Sequence, residues 1–210
     1  RVSKNTFGDF VNPTSFTCNN SYAKMLESSK ILVKNNSTFI LNSGSKLEIN
    51  NYANLVVESG STLQIKAGAN VSLVGSAKIV IKSGGYICVE SGANINLQDY
   101  NSLIVMEEGA IYGANPSLFS SPSCSGSITK TGNGSVIDYS QDVYIQNQTI
   151  SSNKYIGGKN IFVGNHVTTS QAAGDVLINN SANVIFDCKN IVFDRGFECA
   201  FGSTYEVKNH

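Results

Sequence analysis

The stretch from Ala53 to Tyr100 decides the fold, and in blocks of eight it reads ANLVVESG, STLQIKAG, ANVSLVGS, AKIVIKSG, GYICVESG and ANINLQDY. The third and fifth residues of every block are apolar, which places two side chains on the same face of a short strand. Each block opens on a small residue, and most blocks close on glycine, which adopts positive φ without steric cost. Eight residues are too few for a helix and a strand, so each block predicts one strand and one corner.

The same spacing continues on both sides of this stretch. The first apolar position recurs every eight residues, at Ile31, Phe39, Leu47, Leu55, Leu63, Val71, Ile79, Ile87, Ile95, Leu103 and Ile111. A repeat of fixed period indicates a solenoid, whose units stack on one another. We therefore predict an N-terminal cap over 1–28 and a regular β-solenoid over 29–113.

A longer period of 24 is superimposed on the octads. The position that usually holds glycine holds Tyr52, Ser76 and Tyr100 instead, at intervals of 24. One corner in three therefore differs from the others, as expected for a coil of three octads. The prediction is an all-β protein, a three-sided parallel β-helix with 24-residue coils, in which Ile79 stacks between Leu55 and Leu103. By analogy with β-helices of known side length, eight-residue sides favour the right-handed form.

The residue between the two apolar positions should point away from the interior, and its character depends on the side. One side presents an apolar stripe of Leu32, Val56, Val80 and Ile104, the second presents Ile40, Gln64 and Cys88, and the third presents Glu48, Ser72 and Asn96. A soluble protein rarely leaves such an apolar stripe bare. We predict that the stripe is a packing or interaction surface, covered by the aromatic N-terminal segment, by the C-terminal part of the chain, or by a second copy in a homodimer. Cover from within the chain is favoured, because the first 28 residues need somewhere to pack.

The repeat fails after Tyr112. Pro116, Pro122 and many serines and glycines indicate a joint over 114–136. Beyond it, a looser rhythm of 23 to 24 residues predicts a second, irregular β-stack over 137–210, with about three strands in each coil. In that rhythm Ile161 corresponds to Val184.

The C-terminal sequence GDVLINNSANVIFDCKNIVFDRGFECAFGSTYEVK, residues 174–208, carries a recognisable pattern. The residues that form it are Ile191, Phe193, Gly196, Phe197, Gly202, Ser203 and Tyr205. Over residues 137–208 the chain resembles the 3-coathanger stack segment of secreted and surface proteins of the Bacteroidota, although Arg195 stands where that segment usually has proline. Residues 29–111 resemble the β-solenoids of bacterial adhesin-like proteins. The resemblance implies a secreted or cell-surface, outer membrane-associated setting and assigns no catalytic residue.

Composition limits the classes of partner. Lys plus Arg and Asp plus Glu both number 15, so the formal net charge is zero, which argues against a nucleic-acid ligand. No apolar run approaches the roughly 20 residues of a membrane-spanning helix.

Cys88 should point outward as a free thiol, and the only disulfides considered are Cys18 with Cys124 and Cys188 with Cys199.

Candidates for chemistry are few. His166 and His210 are the only histidines, and neither has an obvious nucleophile or orienting acid. Asp187, Cys188 and Asp194 match no metal-ligand spacing, so no catalytic, metal or cofactor-binding residue and no cofactor are predicted. Thr38 and Thr62 are too few for an ice-binding array.

We expect a non-catalytic structural or adhesin-like module that contacts a surface glycan or protein. The alternative is a carbohydrate-binding or carbohydrate-processing β-helix, although the tight corners leave little room for the walls of an active-site groove.

Overall fold

The computed structural model describes residues 15–116, 123–124 and 128–210 and the backbone of residues 7–10. Every regular element in that part of the chain is a β-strand, and the named strands pair in parallel, stacked as a β-solenoid. The predicted all-β fold is therefore confirmed. The chain divides into two compact units, residues 1–136 and 137–210.

The described part of unit 1 contains fourteen short strands that lie wholly within it. They are β1 (Phe7–Phe10), β2 (Ser15–Cys18), β3 (Tyr22–Met25), β4 (Lys30–Val33), β5 (Thr38–Leu41), β6 (Lys46–Asn50), β7 (Asn54–Val57), β8 (Thr62–Ile65), β9 (Asn70–Val74), β10 (Lys78–Ile81), β11 (Tyr86–Val89), β12 (Asn94–Leu97), β13 (Leu103–Met106) and β14 (Ile111–Tyr112). Every third strand belongs to the same sheet. The three sides are β1-β4-β7-β10-β13, β2-β5-β8-β11-β14 and β3-β6-β9-β12. Three of these strands come from residues 7–25, so the segment assigned to an N-terminal cap contributes a coil of its own.

The register confirms the 24-residue coil. Leu55 pairs with Ile79, Leu63 with Ile87, and Val71 with Ile95, as the octads predict. All six residues are buried in one apolar core that runs through the unit. Because the pairs lie about 4.8 Å apart in the hydrogen-bonding direction, each interior residue packs on its equivalents in the coils before and after.

The predicted register of Leu103, Ile104 and Ile111 is wrong, because the pairing in this part of the chain is shifted by one residue. Ile79 pairs with Ile104, not Leu103, and Ile87 pairs with Tyr112, not Ile111. Four residues lie between Leu97 and the small corner residue Ser102, whereas three separate the equivalent residues one coil earlier. A shift of one residue exchanges the two faces of a strand, so Ile104 enters the core.

Corners are held by small residues and by left-handed backbone. Gly60 and Gly84 have φ of 74° and 72°, and the Gly60 N–H donates to the Gly84 carbonyl at 2.8 Å, so the corners also bond from coil to coil. At the corner that lacks glycine in this position, Tyr52 itself adopts φ of 61°. A Cβ added at Gly85 would lie 2.9 Å from the Val57 carbonyl oxygen. The octad therefore needs a small residue where it begins.

The strands of unit 2 are less regular in length, from three to eleven residues. They are β15 (Ser135–Asp138, at the division between the units), β16 (Val143–Ile145), β17 (Gln148–Ile150), β18 (Lys154–Val163), β19 (Val176–Ile178), β20 (Asn183–Phe193), β21 (Phe197–Cys199) and β22 (Thr204–Asn209). β15 and β16 both pair with β18, followed by β20 and β22, while β17, β19 and β21 form a second sheet. The predicted alignment of Ile161 with Val184 is wrong, because Ile161 pairs with Ile191, 30 residues later. The pairing of Val184 with Tyr205 is as the rhythm predicts.

Candidate functional site: the polar face of unit 1

The three outer faces of unit 1 differ in chemistry. We call them the apolar face (β1-β4-β7-β10-β13), the covered face (β2-β5-β8-β11-β14) and the polar face (β3-β6-β9-β12). Inward residues build the common core and are apolar on all sides. The outward residues therefore decide what each side can bind.

The apolar face carries the predicted stripe, except that one of its four members is a different residue. Leu32, Val56 and Val80 are in register on the outside, and Val105, not Ile104, continues the column. Val56 and Val105 are each 7% exposed within the single chain, and Leu32 and Val80 are half-buried. The stripe is thus largely shielded without a second copy. Phe16 belongs to the aromatic N-terminal segment expected to cover the stripe. It instead stacks on Phe39 of the core, with ring centroids 5.3 Å apart.

The covered face is contacted by Asn115, which lies just after β14. Asn115 donates from Nδ2 to the Gly60 carbonyl at 2.9 Å and to the Thr62 hydroxyl at 3.3 Å. Thr62 is fully buried although it points outward, and Gln64 is 6% exposed. Asn115, in the segment assigned to a joint, is thus hydrogen-bonded to an outer face of the solenoid.

A disulfide joins Cys124 to a strand of the covered face. Cys88 bonds to Cys124, with the two Cα atoms 5.1 Å apart, while Cys18, Cys188 and Cys199 are free. The prediction of a free Cys88 and both predicted pairings are wrong. Cys88 does lie on the outer side of its strand, as predicted, but Cys124 reaches it from the irregular segment, whose path no periodic pattern shows.

The polar face presents columns of hydrogen-bonding side chains. Tyr22, Lys46, Asn70 and Asn94 form one column, and Lys24, Glu48, Ser72 and Asn96 form the next. Asn94 donates from Nδ2 to Asn70 Oδ1 at 3.2 Å, and Gln98 donates from Nε2 to the Ser72 hydroxyl at 3.0 Å. Stacked amides of this kind bond from strand to strand and fix the side-chain positions. The face is therefore an ordered array of donors and acceptors.

At one end of this array Glu48 is held by three partners. Its carboxylate accepts from Lys24 at 2.5 Å, from the Tyr22 hydroxyl at 2.7 Å and from Asn50 at 2.8 Å. The Lys24 hydrogen bond, followed by those of Tyr22 and Asn50, lowers the pKa of Glu48 to about 2. Glu48 is thus a charged, paired group at neutral pH and a poor proton donor.

A cleft of about 320 Å³ lies on the rest of the polar face. Its floor is formed by β9 and β12, and its wall by Thr129, Lys130 and Thr131. Thr131 pairs in parallel with Asn96, and its N–H donates to the Ile95 carbonyl at 2.9 Å, so the wall continues this sheet beyond β12. The sequence alone pointed to Ser72 and Asn96 as outward residues but gave no sign of this wall.

The cleft can hold a polar ligand but lacks the groups for acid–base hydrolysis. Its lining consists of amides, hydroxyls, two lysines and three apolar residues. Glycoside hydrolysis needs a pair of carboxylates flanking the bond, and none of the described lining residues carries one. What the arrangement supplies is hydrogen bonding and positive charge.

The candidates of unit 2 do not form a comparable site. Asp187 accepts from the Tyr155 hydroxyl at 2.5 Å and lies 3.9 Å from His210 Nδ1. Burial, followed by the hydrogen bond to Asp187, raises the pKa of Tyr155. Asp194 accepts from the backbone N–H of Arg195, and His166 lies in an exposed turn. Within the described ranges, no three His, Cys, Asp or Glu side chains come together as metal ligands would.

Comparisons with known proteins give no relative. No family model, no curated protein and no solved structure matches the chain. In the described part of the chain, no helix is long and apolar enough to cross a membrane.

Proposed function

We propose that this chain is a non-catalytic, adhesin-like module of a secreted or cell-surface bacterial protein, and that it binds a surface glycan through the polar face. The observation that carries the proposal is the ordered array of Asn70, Asn94, Ser72 and Gln98 beside a walled cleft. Amide side chains offer both donors and acceptors, which is what the many hydroxyl groups of a sugar require. The other two faces leave less room for a ligand, because one is apolar and largely shielded and the other is covered.

An extracytoplasmic location is supported by the disulfide. Bonds such as Cys88–Cys124 persist in oxidising compartments and are rare in the reducing cytosol. The bacterial surface setting, including association with the outer membrane, rests on the resemblance of the C-terminal pattern. Both parts of the proposal fit a module that meets its ligand outside the cell.

Binding to an array of immobilised glycans tests the proposal, and a matched pair of variants locates the surface. Asn94 and Asn54 are each the first residue of a strand, on the polar face and on the apolar face respectively. We expect Asn94→Ala to weaken glycan binding and Asn54→Ala to leave it unchanged. Equal binding by both variants would remove the polar face from the proposal, and a wild-type protein that binds no glycan would contradict it altogether.

The carbohydrate-processing alternative is tested on the same samples. Any glycan that binds is incubated with the protein and assayed for new reducing ends and for unsaturated products. A non-catalytic module leaves the chain length unchanged. Release of either product, lost in Asn94→Ala and retained in Asn54→Ala, would make the protein an enzyme.

A further inference from the structure

The cleft on the polar face is positively charged. Among the described residues that line it, two are charged, Lys46 and Lys130, and both are cations. Glu48, the carboxylate that the four strands place on this face, lies outside the lining and is paired with Lys24. The charge of the lining is therefore not compensated from within the face.

The two lysines mark the two ends of the cleft. Lys46 begins β6, whereas Lys130 directly precedes Thr131, which extends the sheet beyond β12. Strands β9 and β12 lie between them. A ligand that contacts both ammonium groups must run across the strands, along the direction in which the coils stack.

Both ammonium groups retain donors for an anion. Lys46 Nζ lies 5.5 Å from the ring centroid of Tyr22, and Lys130 Nζ donates to the Gly132 carbonyl at 3.1 Å. A lysine has three N–H donors, and neither contact neutralises the charge. Among the described residues, neither lysine has a carboxylate partner.

Between the lysines the lining is neutral and repeats from strand to strand. Asn70 and Ser72 on β9 are followed in register by Asn94 and Asn96 on β12. Equivalent groups on neighbouring strands are about 4.8 Å apart, so the cleft offers similar hydrogen-bonding groups at regular steps. None of the lining residues that the structure describes is aromatic, whereas single-stranded nucleic acids are held by stacking of their bases on aromatic rings. A repeating, hydroxyl-rich and anionic polymer fits these features better than a nucleic acid.

We propose that the cleft selects an acidic polysaccharide, whose sugar units bear carboxylate or sulfate groups, lying across β6, β9 and β12 from Lys46 to Lys130. This inference rests on the proposed glycan-binding function and adds the charge and the direction of the ligand. Lys46 and Lys130 provide the preference for an anion, and the amides hold the sugar hydroxyls.

Calorimetric titration of the full chain tests the inference with two ligands that share one sugar backbone and differ in whether their carboxyl groups are charged. The ligands are an oligogalacturonate and the same oligosaccharide with its carboxylates methyl-esterified, and dextran sulfate serves as the sulfated probe. The variant is Lys46→Met with Lys130→Met. The matched control, Lys30→Met with Lys78→Met, removes the same charge from the apolar face. A single-stranded DNA oligonucleotide tests for unselective binding of polyanions.

We expect at least one acidic ligand to bind more tightly than the ester. The Lys46/Lys130 variant should lose about tenfold in affinity for it, or about 1.4 kcal/mol, and the control variant less than about twofold. Binding should weaken with added salt, because exposed charges are screened. Equal affinity for the ester and for both acidic ligands, unaltered in the Lys46/Lys130 variant, would overturn the inference and leave the proposed function standing. DNA binding as tight as that of the acidic ligand would also overturn it, and failure of every glycan to bind would contradict both proposals.

Discussion

Breaking the Cys88–Cys124 disulfide should destabilise unit 1. The bond closes a loop across a sequence separation of 36 residues. The chain-entropy relation for a loop of this length gives a loss of about 4 kcal/mol at 25 °C when the bond is absent. That is a large share of the roughly 5–15 kcal/mol by which a typical domain is stable. The double variant Cys88→Ala with Cys124→Ala removes the bond without leaving free thiols at these positions.

The assay is urea unfolding of the full chain, followed by circular dichroism, with and without a reductant. The wild type in reductant and the double variant in either buffer should unfold at similar, lower urea concentrations than the oxidised wild type. A thiol count on the denatured, unreduced wild type should give three free cysteines, Cys18, Cys188 and Cys199. The count after reduction should be five.

Two results would refute the reasoning. If the unreduced protein shows five thiols, the disulfide does not form, and the support for an oxidising compartment is lost. If the bond is present but the double variant and the reduced wild type are as stable as the oxidised protein, the bond does not stabilise unit 1.

Three further predictions concern packing and ionisation. Ile79→Ala should cost about 2–5 kcal/mol of unfolding free energy, because Ile79 is fully buried. Val80→Ala, on the half-buried outer side of the same strand, should cost clearly less. Equal losses in urea unfolding would contradict the assigned register. Glu48 has its pKa lowered to about 2 in the folded protein. Its contribution to stability should therefore be present above about pH 4.3, its ordinary pKa, and be lost as the pH falls towards 2. In a series of urea midpoints against pH, Glu48→Gln should lack this acid-induced loss of stability, and an equal decline in wild type and variant would disprove the prediction. Burial raises the pKa of Tyr112, Tyr139 and Tyr155, so in an alkaline absorbance titration these phenols should ionise above their usual pKa of about 10. The fold should lose stability as the pH rises beyond that value, and Phe substitutions at each of these positions should remove the corresponding part of the late-titrating signal.

The coil was predictable because its interior positions are strictly apolar and its corners are small. Leu55, Leu63 and Val71 each needed only the octad to be assigned to an interior column, and their register confirms the assignment. The register failed where the pattern carries no information. Leu103–Met106 is apolar at all four positions, so the sequence allows either face to point inward. The corner length before the strand decides between them, and Ile104 is the residue that enters the core.

The candidate site was only partly predictable for a related reason. Periodicity identified the outward positions of Glu48, Ser72 and Asn96, because they alternate with core residues. The cleft also depends on Thr131, which lies in the irregular segment and joins the sheet through a single bridge to Asn96. The same segment contributes Cys124, which was misassigned for the same cause. Contacts of a non-repeating segment depend on the path of the chain, and its own sequence does not reveal which strand it will meet.

The position of the extra corner residue explains how the polar face keeps its order. The insertion lies between Leu97 and Ser102, after the last strand of that face, so Asn70 and Asn94 remain 24 residues apart and in register. Had it fallen one corner earlier, β12 would have been displaced and its amides turned towards the core, because a one-residue slip exchanges the two faces. On the apolar face the slip has little cost, because all four residues of Leu103–Met106 are apolar and either alternate pair can enter the core. Irregularity is thus placed where either face can be buried, while the side chains that form the cleft stay in register on consecutive coils.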